Sequence, residues 1–454
     1  MAHNAFPHQI FREYDIRGIA GDEITEELAY RLGQAYAAML PANESRPVIV
    51  ARDVRISGPV IQKAVVEGLR DSGFDIIDIG MVPTPLAYYG VFHLDAAGCV
   101  MITASHNPRD YNGFKMMIGR ESLHGEDIQR LKQLMLKPDD KPESRGSLRS
   151  IDLVPEYAAF VTSDIHLSRP LKVVIDAGNG PSGIIAAPVY KKLGCEVIEL
   201  FCEPDGTFPN HHPDPTIEAN MQDIAATVRE HRADLGIAFD GDGDRIGVVD
   251  EQGEIIWGDM LLLLLSRHLL KEHPGATIIS EVKSSQHMYD DIAAHGGHAI
   301  MWRTGHSPIK AKMKETGALL AGEMSGHMFF ADRFFGFDDA VYAGARVMQV
   351  VADQSQPASG MLSGIPEAVA TPEIRVACSD ERKFSLVEEA KAHFSKAGYE
   401  IINVDGMRIK FDDGWGLLRA SNTQPALVLR FEAPTEARVC EMRALIEGWL
   451  KSHS

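Results

Sequence analysis

Four short polar segments in this chain hold residues whose types and spacing could do chemistry. The first, TASHNP (residues 103–108), follows an apolar run at once and sets Ser105 beside His106, with Arg109 and Lys115 close behind. A serine so near two cations suits a nucleophile or a phosphoryl carrier, because Lys and Arg stabilise the double negative charge of a phosphate ester. The plain alternative is a capped turn: Ser, Asn and Pro are ordinary turn residues, and no GxSxG elbow surrounds Ser105.

The second segment, DGDGDR, alternates Asp240, Asp242 and Asp244 with glycines and ends on Arg245. Alternation lets a tight loop turn three carboxylates toward one hard cation, whereas an unneutralised triple carboxylate is electrostatically unfavourable. An EF-hand is the rival, since Glu251 occupies the twelfth position. Arg245 stands where that calcium loop needs glycine, however, and the flanks ADLGIAF and IGVVD read as strands. Magnesium fits better, with open positions for a phosphoryl oxygen and Arg245 as a bidentate phosphate contact.

The third segment, GEMSGH, places Glu323, Ser325 and His327 in one glycine-flanked loop, a set suited to hydrogen-bonding sugar hydroxyls or to an exposed turn. The fourth, RASNTQP, collects Arg419, Ser421, Asn422 and Thr423 without an acid. That is what a grip on a phosphate dianion would offer, and a hairpin turn is its alternative.

The elements that must position these loops recur. One pattern, apolar strand, helix, Gly-led strand and a further strand ending in polar residues, occurs three times. Its copies run PVIVARDVRISG, GFDIIDIG, AGCVMITASHNP; LKVVIDAGNGPSG, GCEVIELF, ADLGIAFDGDGDR; and ATIISEVKSSQH, GGHAIMWRTGH, GALLAGEMSGH. Val- and Ile-rich runs separated by helix-length segments such as PVIQKAVVEGLRDS predict α/β domains around mixed, mostly parallel sheets buried on both faces. Ligands of such sheets gather at the carboxyl ends of strands, which predicts a cleft shared by the loops. Beyond residue 366 the pattern changes to alternating strands with two helices, a smaller α+β domain. The expected domains are 1–150, 151–254, 255–366 and 367–454.

Composition limits the function classes. At 454 residues the chain is too long for one core. A net charge of −19 argues against nucleic acid and against anionic membrane surfaces, both of which call for an excess of Lys and Arg. Five scattered cysteines lack metal-ligand or CxxC spacing and read as reduced, buried thiols. The apolar stretch MLLLLLSRHLL is broken by Ser266, Arg267 and His268 too early for a membrane span, and the N-terminus lacks a signal-like apolar run. A cytoplasmic protein is expected.

TASHNP, DGDGDR, GEMSGH and RASNT in this order, with the opening FREYDIRG, resemble the α-D-phosphohexomutase superfamily, nearest its bacterial phosphomannomutase/phosphoglucomutase branch. The resemblance covers essentially the whole chain. It implies a four-domain, heart-shaped enzyme that interconverts hexose 1-phosphate and hexose 6-phosphate through a phosphoserine and a hexose 1,6-bisphosphate. By the same resemblance Ser105 carries the phosphoryl group, and Mg²⁺ binds Asp240, Asp242, Asp244 and the Ser105 phosphate. Glucose 1,6-bisphosphate acts as activator and intermediate. Arg245 and Lys115 stabilise the transferring group. Acid/base duty falls on Lys115 or His327, with His106 nearby; histidine suits neutral pH untuned, whereas lysine would need a lowered pKa.

Glu323 and Ser325 would hold sugar hydroxyls in either ring orientation. Tyr14, Arg17, Lys283, His306, Arg419, Ser421, Asn422 and Thr423 would add ligand contacts, although Arg17 could instead pair with Asp15 or Glu13, and Tyr14 could simply pack. Phosphoglucosamine mutases carry GEQSGH or similar where this chain has Met324, which favours glucose and mannose. A monomer with phosphosugar ligands is expected. The alternatives are a phosphoglucosamine mutase, a sugar-phosphate phosphatase using the aspartate loop, and a non-catalytic sugar-phosphate binding protein.

Overall fold

The computed structural model describes residues 6–137, 144–422 and 424–453. The chain forms two compact units, Met1–Leu261 with Ser325–Met361, and Leu262–Met324 with Leu362–Ser454.

In the first unit the strand Val48–Arg52 pairs in parallel with both Ile76–Met81 and Gly98–Ile102, and Tyr111–Ile118 closes against Gly98–Ile102 in antiparallel register. A second sheet repeats the order: Lys172–Asp176 lies parallel to Glu196–Leu200 and Leu235–Phe239, and Ile246–Asp250 runs antiparallel to Leu235–Phe239. In the second unit Thr277–Glu281 again takes the centre, parallel to His298–Trp302 and Leu320–Gly322. The first strand of each repeat is therefore central. Their burial agrees with a place between two neighbours: Val48–Arg52, Lys172–Asp176 and Thr277–Glu281 are each buried at four of five residues.

The segment PVIQKAVVEGLRDS lies in the helix Gly58–Asp71, which buries Ile61, Val65 and Leu69 along one face. It crosses the helix Glu26–Met39 closely at a glycine pair. A Cβ on Gly68 would stand 2.1 Å from the Tyr30 carbonyl oxygen, and one on Gly33 2.5 Å from that of Val65.

The C-terminal portion is a six-stranded sheet in which Gly414–Ala420 and Ala426–Ala433 form a central antiparallel hairpin. The helices Asp380–Lys396 and Glu436–His453 supply Leu386, Phe394, Ile446 and Trp449 to a core with Leu418, Leu429 and Phe431. Among the described residues no helix is long and apolar enough to cross a membrane, and the leucine run near 261–270 lies within the helix Gly258–Glu272. All five cysteines are free thiols, but only Cys99 and Cys195 are buried as expected; Cys202 and Cys378 are half-buried and Cys440 is exposed.

Each polar segment occupies a turn between strands. TASHNP joins Gly98–Ile102 to Tyr111–Ile118, DGDGDR joins Leu235–Phe239 to Ile246–Asp250, and RASNTQP joins the C-terminal hairpin. GEMSGH links Leu320–Gly322 to Met328–Phe330.

Candidate active site

The aspartate loop folds around its own first residue. Asp240 Oδ1 accepts the amides of Gly243, Asp244 and Arg245 at 3.0–3.1 Å, closing a turn in which Gly243 takes φ +75°. Gly241 is required for a second reason, since a Cβ there would stand 2.4 Å from the Ser105 carbonyl oxygen. This close approach brings the serine turn to the aspartate loop.

Ser105 is 1% exposed and adopts φ +50°, a left-handed conformation uncommon outside glycine. Its amide donates to Thr103 Oγ1 at 2.8 Å. Its hydroxyl donates to Asp240 Oδ2 at 2.6 Å and lies 3.0 Å from His106 Nδ1. Burial, then Arg245, Arg17 and Lys115, lower the His106 pKa well below the usual histidine value, so this ring is neutral at physiological pH.

Asp240, Asp242 and Asp244 are fully buried and present oxygen atoms all within 4.8 Å of one another. Burial, reinforced by Asp242 and Asp244, pushes Asp240 well above the ordinary carboxylate range. For Asp244 burial acts in the same sense, but Lys115, His327 and Arg245 overcome it and hold the group well below that range. Lys115 Nζ donates to Asp242 Oδ2 at 2.8 Å and to Asp244 Oδ2. Burial would lower the Lys115 pKa, but the three carboxylates outweigh it and raise it.

The triad passes a test for a hard cation. Asp242 Oδ1 and Asp244 Oδ1 are buried and accept no hydrogen bond. An all-oxygen donor set with such oxygens suits a hard divalent ion. His327 stands beside it: Nε2 lies 3.3 Å from both Arg245 Nε and Asp244 Oδ1, and Nδ1 lies 3.0 Å from Ser325 Oγ. Arg17 pairs with Asp15 Oδ2 at 2.5 Å, the pairing foreseen as its alternative, and also feels Arg245 and Asp242. Tyr14 is half-buried just before the strand Ile16–Ile19.

In the second unit a separate polar network gathers the remaining candidates. Lys283 Nζ bridges Glu373 Oε1 at 2.6 Å and Glu281 Oε2 at 3.3 Å. Glu281 accepts Thr304 Oγ1 at 2.6 Å and the Met324 amide at 3.0 Å. Glu323 accepts the Gly305 amide at 2.7 Å, next to His306 at the start of the helix His306–Thr316. Arg419 is buried and pairs with Asp405 Oδ2 at 3.0 Å. The RASNTQP segment lacks an acid, yet the fold supplies one. Ser421 Oγ accepts the Gln424 amide at 3.1 Å, and Asn422 is half-buried. Thr423 lies outside the described residues.

Sequence reasoning missed Thr84, whose hydroxyl donates to Asp242 Oδ2 at 2.5 Å, along with Arg55, Glu281, Glu373 and Asp405. None sits in a segment of conspicuous composition, and only the repeat containing ARDVRISG pointed toward Arg55.

Comparison with known proteins gives matches along the whole chain. Four family models match in order: phosphoglucomutase/phosphomannomutase alpha/beta/alpha domain I over residues 8–141, domain II over 155–253, domain III over 257–369, and the C-terminal domain over 373–447. The phosphomannomutase/phosphoglucomutase of Pseudomonas aeruginosa is 46% identical over 98% of this chain and 96% of its own length. A phosphoglucomutase of Neisseria meningitidis is 47% identical over 97% of each. A crystal structure of a phosphoglucomutase/phosphomannomutase family protein from Burkholderia thailandensis superposes with a TM-score of 0.92 at 42% identity, covering 98% of both chains.

Proposed function

Since this chain belongs to the phosphoglucomutase/phosphomannomutase family, we propose that it interconverts hexose 1-phosphate and hexose 6-phosphate, accepting glucose and mannose. The observation that carries the reading is the Ser105 hydroxyl, aimed at Asp240 Oδ2 from 2.6 Å within a buried carboxylate triad. A carrier hydroxyl belongs where charge on a transferring phosphoryl group can be neutralised.

In this reading phosphorylated Ser105 donates its phosphoryl group to the free hydroxyl of a hexose monophosphate. The serine O–P bond breaks and a P–O bond to the sugar forms; the sugar hydroxyl gives up its proton and the departing Ser105 oxygen takes one up, returning as a hydroxyl. Transfer of the other phosphate from the resulting 1,6-bisphosphate back to Ser105 regenerates the enzyme. Mg²⁺ held by Asp240, Asp242, Asp244 and the phosphorylated serine would supply charge neutralisation. Lys115, ionised between Asp242 and Asp244, contributes positive charge and a donated hydrogen bond; Arg245 contributes a guanidinium fork. Proton acceptance is assigned to the His327 imidazole, whose Nδ1 lies against Ser325 Oγ and whose Nε2 accepts from Arg245 Nε.

Sugar recognition is assigned to Glu323, Ser325 and His306, and phosphate recognition to Lys283, Arg419, Ser421 and Asn422; Arg17 and Tyr14 are further ligand contacts in this reading. Met324 in place of glutamine favours gluco and manno sugars. Free cysteines suit a reducing compartment, and a cytoplasmic monomer is part of the proposal.

The test is a coupled assay on glucose 1-phosphate, mannose 1-phosphate and glucosamine 1-phosphate with Mg²⁺ and a trace of glucose 1,6-bisphosphate, alongside Ser105→Ala. Turnover of the first two substrates is expected, with the variant losing nearly all phosphotransfer. Retained transfer in Ser105→Ala would reject the carrier role, and turnover of glucosamine 1-phosphate alone would reject the sugar assignment.

A further inference from the structure

The Ser105 turn is held by a residue outside the four polar segments. Arg55 follows the central strand Val48–Arg52, and its side chain is wholly buried. Its Nη1 donates to the carbonyls of Pro108 at 2.6 Å and Tyr111 at 2.8 Å, and its Nη2 to those of Ser105 and Asn107 at 2.7 Å each. Its Nε donates to Asp53 Oδ2 at 3.2 Å. All five guanidinium N–H directions are thereby used.

Asp53 completes the frame. Its Oδ1 accepts the Arg55 amide at 2.9 Å, and its Oδ2 accepts Thr103 Oγ1 at 2.8 Å. Thr103 Oγ1 in turn accepts the Ser105 amide. Both sides of the left-handed Ser105 are thus tied to one buried ion pair, its amide through Thr103 and its carbonyl directly.

We propose that Arg55, braced by Asp53, is the positioning residue that fixes the Ser105 turn for phosphoryl transfer. It draws four carbonyl oxygens of the turn to a single cation. Because peptide units are planar and trans, the opposite edges of two of those units, the His106 and Arg109 N–H groups, face away from the guanidinium. The negative ends of the turn are gathered on one side, and the serine hydroxyl is left aimed at Asp240. A lysine keeps the charge but has no planar fork to span carbonyls from residues 105 to 111.

This inference rests on Ser105 as phosphoryl carrier. Arg55→Lys is expected to lower kcat on the order of a hundredfold with KM for glucose 1-phosphate changed less than about twofold, since misplacement of a reacting group by about 1 Å costs that much. Transfer from glucose 1,6-bisphosphate to Ser105, followed by intact-protein mass, should slow in parallel. Arg346→Lys serves as control: it alters an equally buried arginine whose fork grips Asp332 at 2.9 Å. It should lower Tm while leaving kcat within about twofold.

Asp53→Asn keeps the shape of the network and should lower kcat about tenfold, which keeps the idea testable if Arg55→Lys does not fold. Wild-type kcat in Arg55→Lys would overturn the proposal. So would matching kcat losses in Arg55→Lys and Arg346→Lys, and so would an unaffected kcat in Asp53→Asn should Arg55→Lys fail to fold. Retained phosphotransfer in Ser105→Ala removes the premise itself, whereas an inactive Ser105→Ala beside a fully active Arg55→Lys sinks only this inference.

Discussion

The aspartate triad shows how one buried site reconciles charges that repel. Lys115 answers Asp242 and Asp244, and Thr84 answers Asp242, yet one oxygen on each of these aspartates accepts no hydrogen bond. A buried oxygen without a donor is costly, so a cation reaching those atoms stabilises the folded chain. Added Mg²⁺ should therefore raise Tm, by about 2.7 kcal/mol of stability at a hundred times its Kd. In Asp242→Asn the amide oxygen still accepts from Thr84 or Lys115, so the fold should persist while the Mg²⁺-dependent Tm shift shrinks severalfold and activity falls at least a hundredfold. A wild-type Mg²⁺ response in this variant would show that Asp242 is not a ligand.

Strand ends and helix caps fix where these side chains sit. The helix Ala340–Ala352 is capped by Asp339, whose side chain accepts the Tyr342 amide at 2.9 Å and the Tyr157 hydroxyl at 2.9–3.0 Å. Burial pushes the Asp339 carboxyl up to about 7 despite these donors. A carboxyl whose folded pKa lies above its unfolded value near 4 binds more protons when folded, so stability falls as pH rises between those two values. The contribution lost across that window is roughly 4 kcal/mol at most. A side-chain amide in its place is uncharged throughout, so Asp339→Asn should flatten the slope of chemical-denaturation stability between pH 4 and 7 and be the more stable protein at pH 7.5. An unchanged slope would assign the pH dependence to other groups.

At the scale of the whole chain, two compact units with distinct cores predict unfolding that is not two-state. Scanning calorimetry should give a calorimetric enthalpy larger than the van't Hoff enthalpy; equality would show that the units melt as one. Much of the architecture was legible beforehand. The repeat of parallel strands, the α+β ending and the convergence of the three DGDGDR carboxylates follow from apolar runs and residue types, which are local properties that sequence displays directly. The partners were not. Lys115 meets Asp242 across 127 residues, Arg55 reaches the Ser105 carbonyl across 50, and Arg419 finds its acid in Asp405 outside its own loop. A side chain's chemistry is written in its own residue, whereas its ionisation, orientation and hydrogen-bond partners depend on which distant segments the topology brings alongside, and only the folded chain decides that.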